Sequence, residues 1–219
     1  MKKILVFIFS FSVLLANASN GDSTKVKKMR YDQEQDQTLF KKGTPIGFYI
    51  GLSNKPSVIN EQYSWMTGAE VSLVFNHRLN IGFAGYGLVS PVQSNLVDQN
   101  GHRYYYDLGY GGLLVEPVIF SRSLVHLTFP VLIGAGGAGL RPSYMGYYYN
   151  FGNTDWENYF GDAFFIAEPG VNLELNVFKW MRFHAGASYR FVSDGYFGSA
   201  IGNELSGWSA NFGLKFGRF

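Results

Sequence analysis

The chain has 219 residues, enough for one domain, and its 18 Lys and Arg against 16 Asp and Glu give no global reason to bind nucleic acid or an acidic surface. It contains no Cys, which excludes a disulfide scaffold, a thiolate metal site, a Cys nucleophile and a lipid anchor on an N-terminal Cys. Aromatic residues make up 18% of the chain, with 27 Gly, yet mean hydropathy is -0.03, and past residue 18 no apolar run approaches the roughly 20 residues of a transmembrane helix.

Lys2 and Lys3 form a positive start, Ile4 to Leu15 an apolar core broken by Ser10 and Ser12, and Ala16-Asn17-Ala18 a small-x-small cleavage site. Residues 1–18 therefore read as a signal peptide; a membrane anchor would need a longer span. Cleavage leaves 16 basic against 16 acidic residues. Residues 19–43 are polar and charged until Leu39 and Phe40, and read as a flexible periplasmic leader whose Lys25, Lys27, Lys28 and Arg30 are solvated.

From residue 44 onward the dominant signal is alternation, which marks strands with two unlike faces. Ile46, Phe48, Ile50 and Leu52 share one face of a first strand, opposite Gly47, Tyr49, Gly51 and Ser53. Ala69, Val71, Leu73 and Phe75 alternate with Glu70, Ser72, Val74 and Asn76 in a second, and Leu79, Ile81 and Phe83 with Asn80, Gly82, Ala84 and Tyr86 in a third. A fourth strand, about 106–120, is apolar on both faces, and a fifth follows at Val125, Leu127, Phe129, Val131 and Ile133. The sixth sets Val171, Leu173, Leu175 and Val177 against Glu168, Asn172, Glu174 and Asn176. The seventh sets Met181, Phe183, Ala185 and Ala187 against Arg182, His184, Gly186, Ser188 and Arg190, and the last sets Trp208, Ala210, Phe212, Leu214 and Phe216 against Ser209, Asn211, Gly213 and Lys215.

The expected fold class is thus all-β: an antiparallel transmembrane β-barrel of about eight strands with the apolar faces on lipid and the polar faces inside. Glycine at inner positions would relieve crowding in so narrow a barrel. Connections around His77–Leu79, Ser121–Ser123 and Phe178–Trp180 are tight, while those at about 54–65, 91–104, 139–161 and 194–204 read as long loops. Short turns at one end and long loops at the other describe an outer-membrane barrel. Gly68-Ala69-Glu70-Val71, Leu114-Val115-Glu116-Pro117 and Ile166-Ala167-Glu168-Pro169 form a weak repeat that opens three inbound strands, and Pro117 and Pro169 are expected to mark bulges.

Over residues 44–219 the strand and loop pattern, with the terminal segment Asn211-Phe212-Gly213-Leu214-Lys215-Phe216-Gly217-Arg218-Phe219, resembles the small eight-stranded outer-membrane proteins of Gram-negative bacteria, the OmpA-barrel and OmpX type. The resemblance implies an outer-membrane location, lipid as surroundings, and Phe219 as a signal to the barrel-assembly machinery during biogenesis. Phe219 is, however, one residue out of phase with the apolar positions Phe212, Leu214 and Phe216. The functions of that family are diverse, so no activity follows from the fold.

The inward faces hold Glu70, Glu116, Glu168 and Glu174 together with Arg182, Arg190, Lys215, His126 and His184. If Val177 lies opposite Met181, cross-strand pairing sets Glu168 against Arg190 and Glu174 against His184. The expectation is a buried charge network that fills the barrel; a proton-linked gate or catalytic cluster is the sharper alternative. Tyr144, Tyr147, Tyr148, Tyr149, Trp156 and Tyr159 crowd the longest loop, either as an aromatic girdle or as a surface that binds an extracellular ligand. No cofactor, metal or catalytic residue is assigned: Asp155, Glu157 and Asp162 lack metal-loop spacing, and only His102 of the four His lies in an extracellular loop. The expected function is that of a monomeric barrel with a plugged lumen and a structural or surface-binding role. A narrow passive channel and a lipid-modifying enzyme are the alternatives.

Overall fold

The computed structural model describes residues 43–97, 101, 103–142, 163–193 and 204–219. The expected signal peptide, the leader up to residue 42, His102 and the aromatic loop Tyr144–Tyr159 lie outside the described residues. The strands are β1 (Ile46–Ile59), β2 (Gln62–Phe75), β3 (Leu79–Leu88), β4 (Gln93–Val97), β5 (Arg103–Ile119), β6 (Val125–Thr128), β7 (Val131–Pro142), β8 (Ala163–Phe178), β9 (Met181–Val192) and β10 (Gly207–Arg218). No described helix is long and apolar enough to cross a membrane.

All pairings are antiparallel. β1 pairs with β2, β2 with β3, β3 with β5, β5 with β6 and β7, these with β8, β8 with β9, and β9 with β10, which returns to β1. The wall is a closed ring of eight strands in which β6 and β7 are two pieces of one strand and β4 continues the track of β3 along β5. Closure leaves no unpaired edge.

The period-two code has the sense expected of a membrane wall. Ile46, Phe48, Ile50 and Leu52 are each more than half exposed, while the intervening Tyr49 is fully buried and Ser53 nearly so. The same inversion runs through Val71 and Leu73 against Glu70 and Ser72, and through Leu173 against Asn172 and Glu174. A water-soluble barrel would bury the first set and expose the second.

Two sequence expectations fail here. The segment 54–65 is not a long loop: β1 and β2 pair all the way to Ile59 opposite Gln62, joined by Asn60-Glu61. Both turn residues have positive φ, 47° and 60°, the conformation that matches the twist of a two-residue hairpin. Pro56, within that segment, sits in register opposite Trp65. Nor do Pro117 and Pro169 shift the register. Val115 opposite Val131 and Val118 opposite Thr128 belong to one register across Pro117, and Val131 opposite Pro169 continues that of Leu127 opposite Leu173. Each proline lacks one ladder donor, and the strand that does break is the neighbouring one, at Phe129-Pro130. Register shifts occur between Asn176 and Phe178 and between Gln93 and Val97.

Candidate functional site: the barrel lumen

The inward residues fill the lumen in tiers. Near the turn end Lys215, on β10, reaches three carboxylates from three other strands. Its Nζ donates to Glu116 Oε1 and Oε2 at 2.7 and 2.8 Å and to Glu174 Oε1, and lies 3.8 Å from Glu70 Oε1. Glu174 Oε2 also meets His126 Nε2 at 3.0 Å and Arg182 Nη1 at 3.5 Å. Glu116 Oε2 accepts from Tyr49 OH at 3.0 Å and Asn80 Nδ2 at 2.8 Å. Below this cluster Phe219 turns inward, its ring 5.8 Å from that of Tyr49 and 3.9 Å beneath the Arg182 guanidinium. The phase offset seen in the sequence therefore removes the terminal ring from the lipid face.

Toward the loop end a second ion pair joins Lys55 Nζ to Glu168 Oε1 at 2.6 Å, with Tyr110 OH donating to Glu168 Oε2 at 2.7 Å and Lys55 lying 3.4 Å over the Tyr86 ring. Higher still the filling becomes apolar: Ile59, Met66, Val92 and Leu205 are fully buried, with Tyr106 and Leu108 beside them. Arg190 stands within this tier. It donates to Leu205 O at 2.7 Å, Met66 Sδ at 3.0 Å and Ser57 Oγ at 3.3 Å. The short segment carrying Leu205 is tied down further by Asn60 N to Glu204 O at 3.0 Å, by Val192 N to Ser206 Oγ at 3.0 Å, and by the Tyr106 hydroxyl to the Glu204 carboxylate.

Between the tiers lies a cavity of about 30 Å³ bordered by Glu70, Glu116, Lys55, Glu168, Asn172 and His184, space on the order of one or two water molecules. Glu70 Oε1, Asn172 Oδ1 and His184 Nδ1 make no hydrogen bond among the described residues. Glycine makes room for the charged groups. A Cβ at Gly51 would lie 2.6 Å from Glu70 Cγ, and one at Gly213 would lie 2.7 Å from His184 Cε1.

All eight residues expected of the lumen network (Glu70, Glu116, Glu168, Glu174, Arg182, His184, Arg190 and Lys215) are at most 7% exposed. The β8–β9 register sets Glu174 opposite His184 as expected, although Phe178 rather than Val177 faces Met181 because of the bulge. The partners differ from the expectation. His184 Nε2 meets Ser53 Oγ at 3.3 Å, Glu174 meets Lys215, Arg182 and His126, and Glu168 takes Lys55 where Arg190 was expected. Arg190 is drawn upward to Leu205. Lys55 was missed because Asn54-Lys55-Pro56 looked like loop, yet it continues the inward series Tyr49, Gly51, Ser53. Among the described residues no group of three or more His, Asp or Glu is placed to hold a metal ion.

No protein-family model matches the sequence, and no curated protein matches it. Solved structures do. Neisserial surface protein A is 9% identical, with 80% of this chain and 98% of that one covered at a TM-score of 0.52. Ail, the attachment invasion locus protein of Yersinia pestis, in complex with the heparin analogue sucrose octasulfate, is 11% identical over 80% and 98% at a TM-score of 0.46. At such identity the likeness is one of architecture, and the architecture is that of a small eight-stranded outer-membrane β-barrel.

Proposed function

We propose that the chain is an outer-membrane barrel, exported by the signal peptide 1–18 and released with a polar leader at 19–43, whose lumen is occluded and whose role is structural or surface-binding through its loop end. The observation that carries this reading is the inverted wall. Its outer surface presents Phe83 at 64%, Phe165 at 76% and Leu52 at 58% exposure, while Lys215, Glu116 and Arg190 are at most 1% exposed inside. Only lipid makes that distribution favourable, since each of those apolar side chains would cost roughly 1.5–3 kcal/mol left in water. Lipid is therefore the first partner, and the closed ring is consistent with a monomer.

Occlusion is supported by the tiers of side chains, from Phe219 under Arg182 to Leu205 under the loop end. A passive channel would need these to move. Catalysis is not part of the reading. Ser53 and His184 do touch, but they are 2% and 3% exposed, with no route for a lipid substrate. At the loop end Tyr63 is 93% and Trp208 67% exposed, and the aromatic residues Tyr144 to Tyr159 would add to that surface. Planar-bilayer recording tests the occlusion. The purified protein is expected to insert without conductance steps above background, and reproducible open steps would favour the channel instead.

A further inference from the structure

The charges outside the lumen are sorted by end. Every described Asp or Glu either faces inward (Glu70, Glu116, Glu168, Glu174) or lies toward the loop end (Glu61, Asp107, Glu204). Among the described residues, the charged side chains exposed at the turn end are all basic: Arg78 in the β2–β3 turn, Arg122 in the β5–β6 turn, Lys179 in the β8–β9 turn and Arg218 at the end of β10 beside β1. All are exposed, and none has an ion-pair partner among the described residues. In the order of the ring two strands separate each from the next, so the cations occupy the four corners of the barrel's lower rim.

Three of the four cations stand within two residues of an aromatic residue of the outer wall. Arg122 follows Phe120, which is 68% exposed; Lys179 lies between Phe178 and Trp180, whose rings stack at 5.5 Å; and Arg218 follows Phe216, whose ring is 6.1 Å from Trp180. An apolar band that ends in a cation at every corner is matched to a surface whose acyl chains end in anionic headgroups. A soluble polyanion would explain the cations but not their registration with the lipid-facing rings.

We propose that the turn-end rim, Arg78, Arg122, Lys179 and Arg218 with the exposed aromatic residues near the last three, is a binding ring for anionic phospholipid headgroups of the leaflet on the turn side. This rests on the membrane reading above. The ring would select the lipid shell and fix the barrel's depth, with a preference of about five-fold for an anionic over a zwitterionic lipid at each corner.

Trp180 reports on this rim. The full chain carrying Trp65→Phe, Trp156→Phe and Trp208→Phe leaves Trp180 as its single Trp. It is reconstituted in phosphatidylcholine bilayers doped with brominated phosphatidylglycerol or brominated phosphatidylcholine. The expected result is quenching that favours phosphatidylglycerol about five-fold, falling toward parity in 1 M salt, where the screening length is about 3 Å. Adding Arg78→Gln, Arg122→Gln, Lys179→Gln and Arg218→Gln should abolish it, and the companion protein with Trp208 alone should show none. Equal quenching by both lipids at low salt overturns the proposal, as does a preference that survives neutralisation. The salt series needs no substitution in the ring, so it decides even where the neutralised variant fails to fold. Tight binding to soluble acidic cell-wall fragments without lipid preference would also overturn it and assign the ring to a polymer. Failure to insert in any bilayer would contradict the membrane reading instead.

Discussion

The lumen is filled in two ways along its length. Toward the turn end it is ionic: Lys215 is shared by Glu116, Glu174 and, at longer range, Glu70, and every group there takes its place from a charge on another strand. Toward the loop end it is apolar: Ile59, Met66, Val92 and Leu205 pack together, and the one guanidinium among them, Arg190, is satisfied by a carbonyl, a thioether and a hydroxyl rather than a carboxylate. A closed wall therefore does not dictate how its interior is filled. Ionic filling fixes geometry but fails steeply when one partner is lost, because the others are left charged in a dry space. Apolar filling degrades in proportion to the volume removed.

The largest expected effect comes from breaking the ionic half. Lys215→Met strands the carboxylates of Glu116 and Glu174, and unfolding by denaturant in detergent should show a loss of about 3–5 kcal/mol at neutral pH. In the apolar half, Leu205→Ala should cost about 2–3 kcal/mol in the same measurement, with no charge left unpaired. The pair between the two halves is read by a double-mutant cycle. Lys55 and Glu168 should couple by roughly 1–3 kcal/mol, whereas Arg190 and Glu168 should couple by less, and the reverse order would assign the carboxylate to Arg190. The smallest effect is at the turn-end opening, where Phe219→Ala removes the ring under Arg182 and should cost about 1 kcal/mol.

The ionic half was legible in the sequence and the apolar half was not, for a physical reason. Alternation marks a residue as inward only when the two faces differ in polarity, as at Glu174, Arg182 and Lys215. Tyr106, Leu108, Tyr110 and Leu114 of β5 are inward and apolar, so the strand looked alike on both faces and its phase was hidden. Ile59 is hidden for a different reason, since it falls within the segment 54–65 that reads as loop, and Met66 lies just beyond that segment, before the alternation that begins at Ala69. Local chemistry misleads where tertiary pairing overrides it: Pro117 and Pro169 each lack a donor, yet the neighbouring ladders hold both strands in register. The partner of Glu168 was out of reach of sequence reasoning, because Lys55 lies across the lumen and only the closed ring brings the two together.

Which face of the wall meets lipid decides both the membrane location and the occluded lumen. Spin labels attached in turn at positions 48, 50 and 52 and at 53, 55 and 57 of β1, in protein reconstituted in bilayers, can be compared by their accessibility to oxygen and to a water-soluble nickel complex. The first set should be open to oxygen and closed to nickel, as expected for Phe48, Ile50 and Leu52, which are 56%, 55% and 58% exposed on the wall. Oxygen contact at 53, 55 and 57, with 48, 50 and 52 shielded, would mean that the apolar faces point inward and would contradict the account.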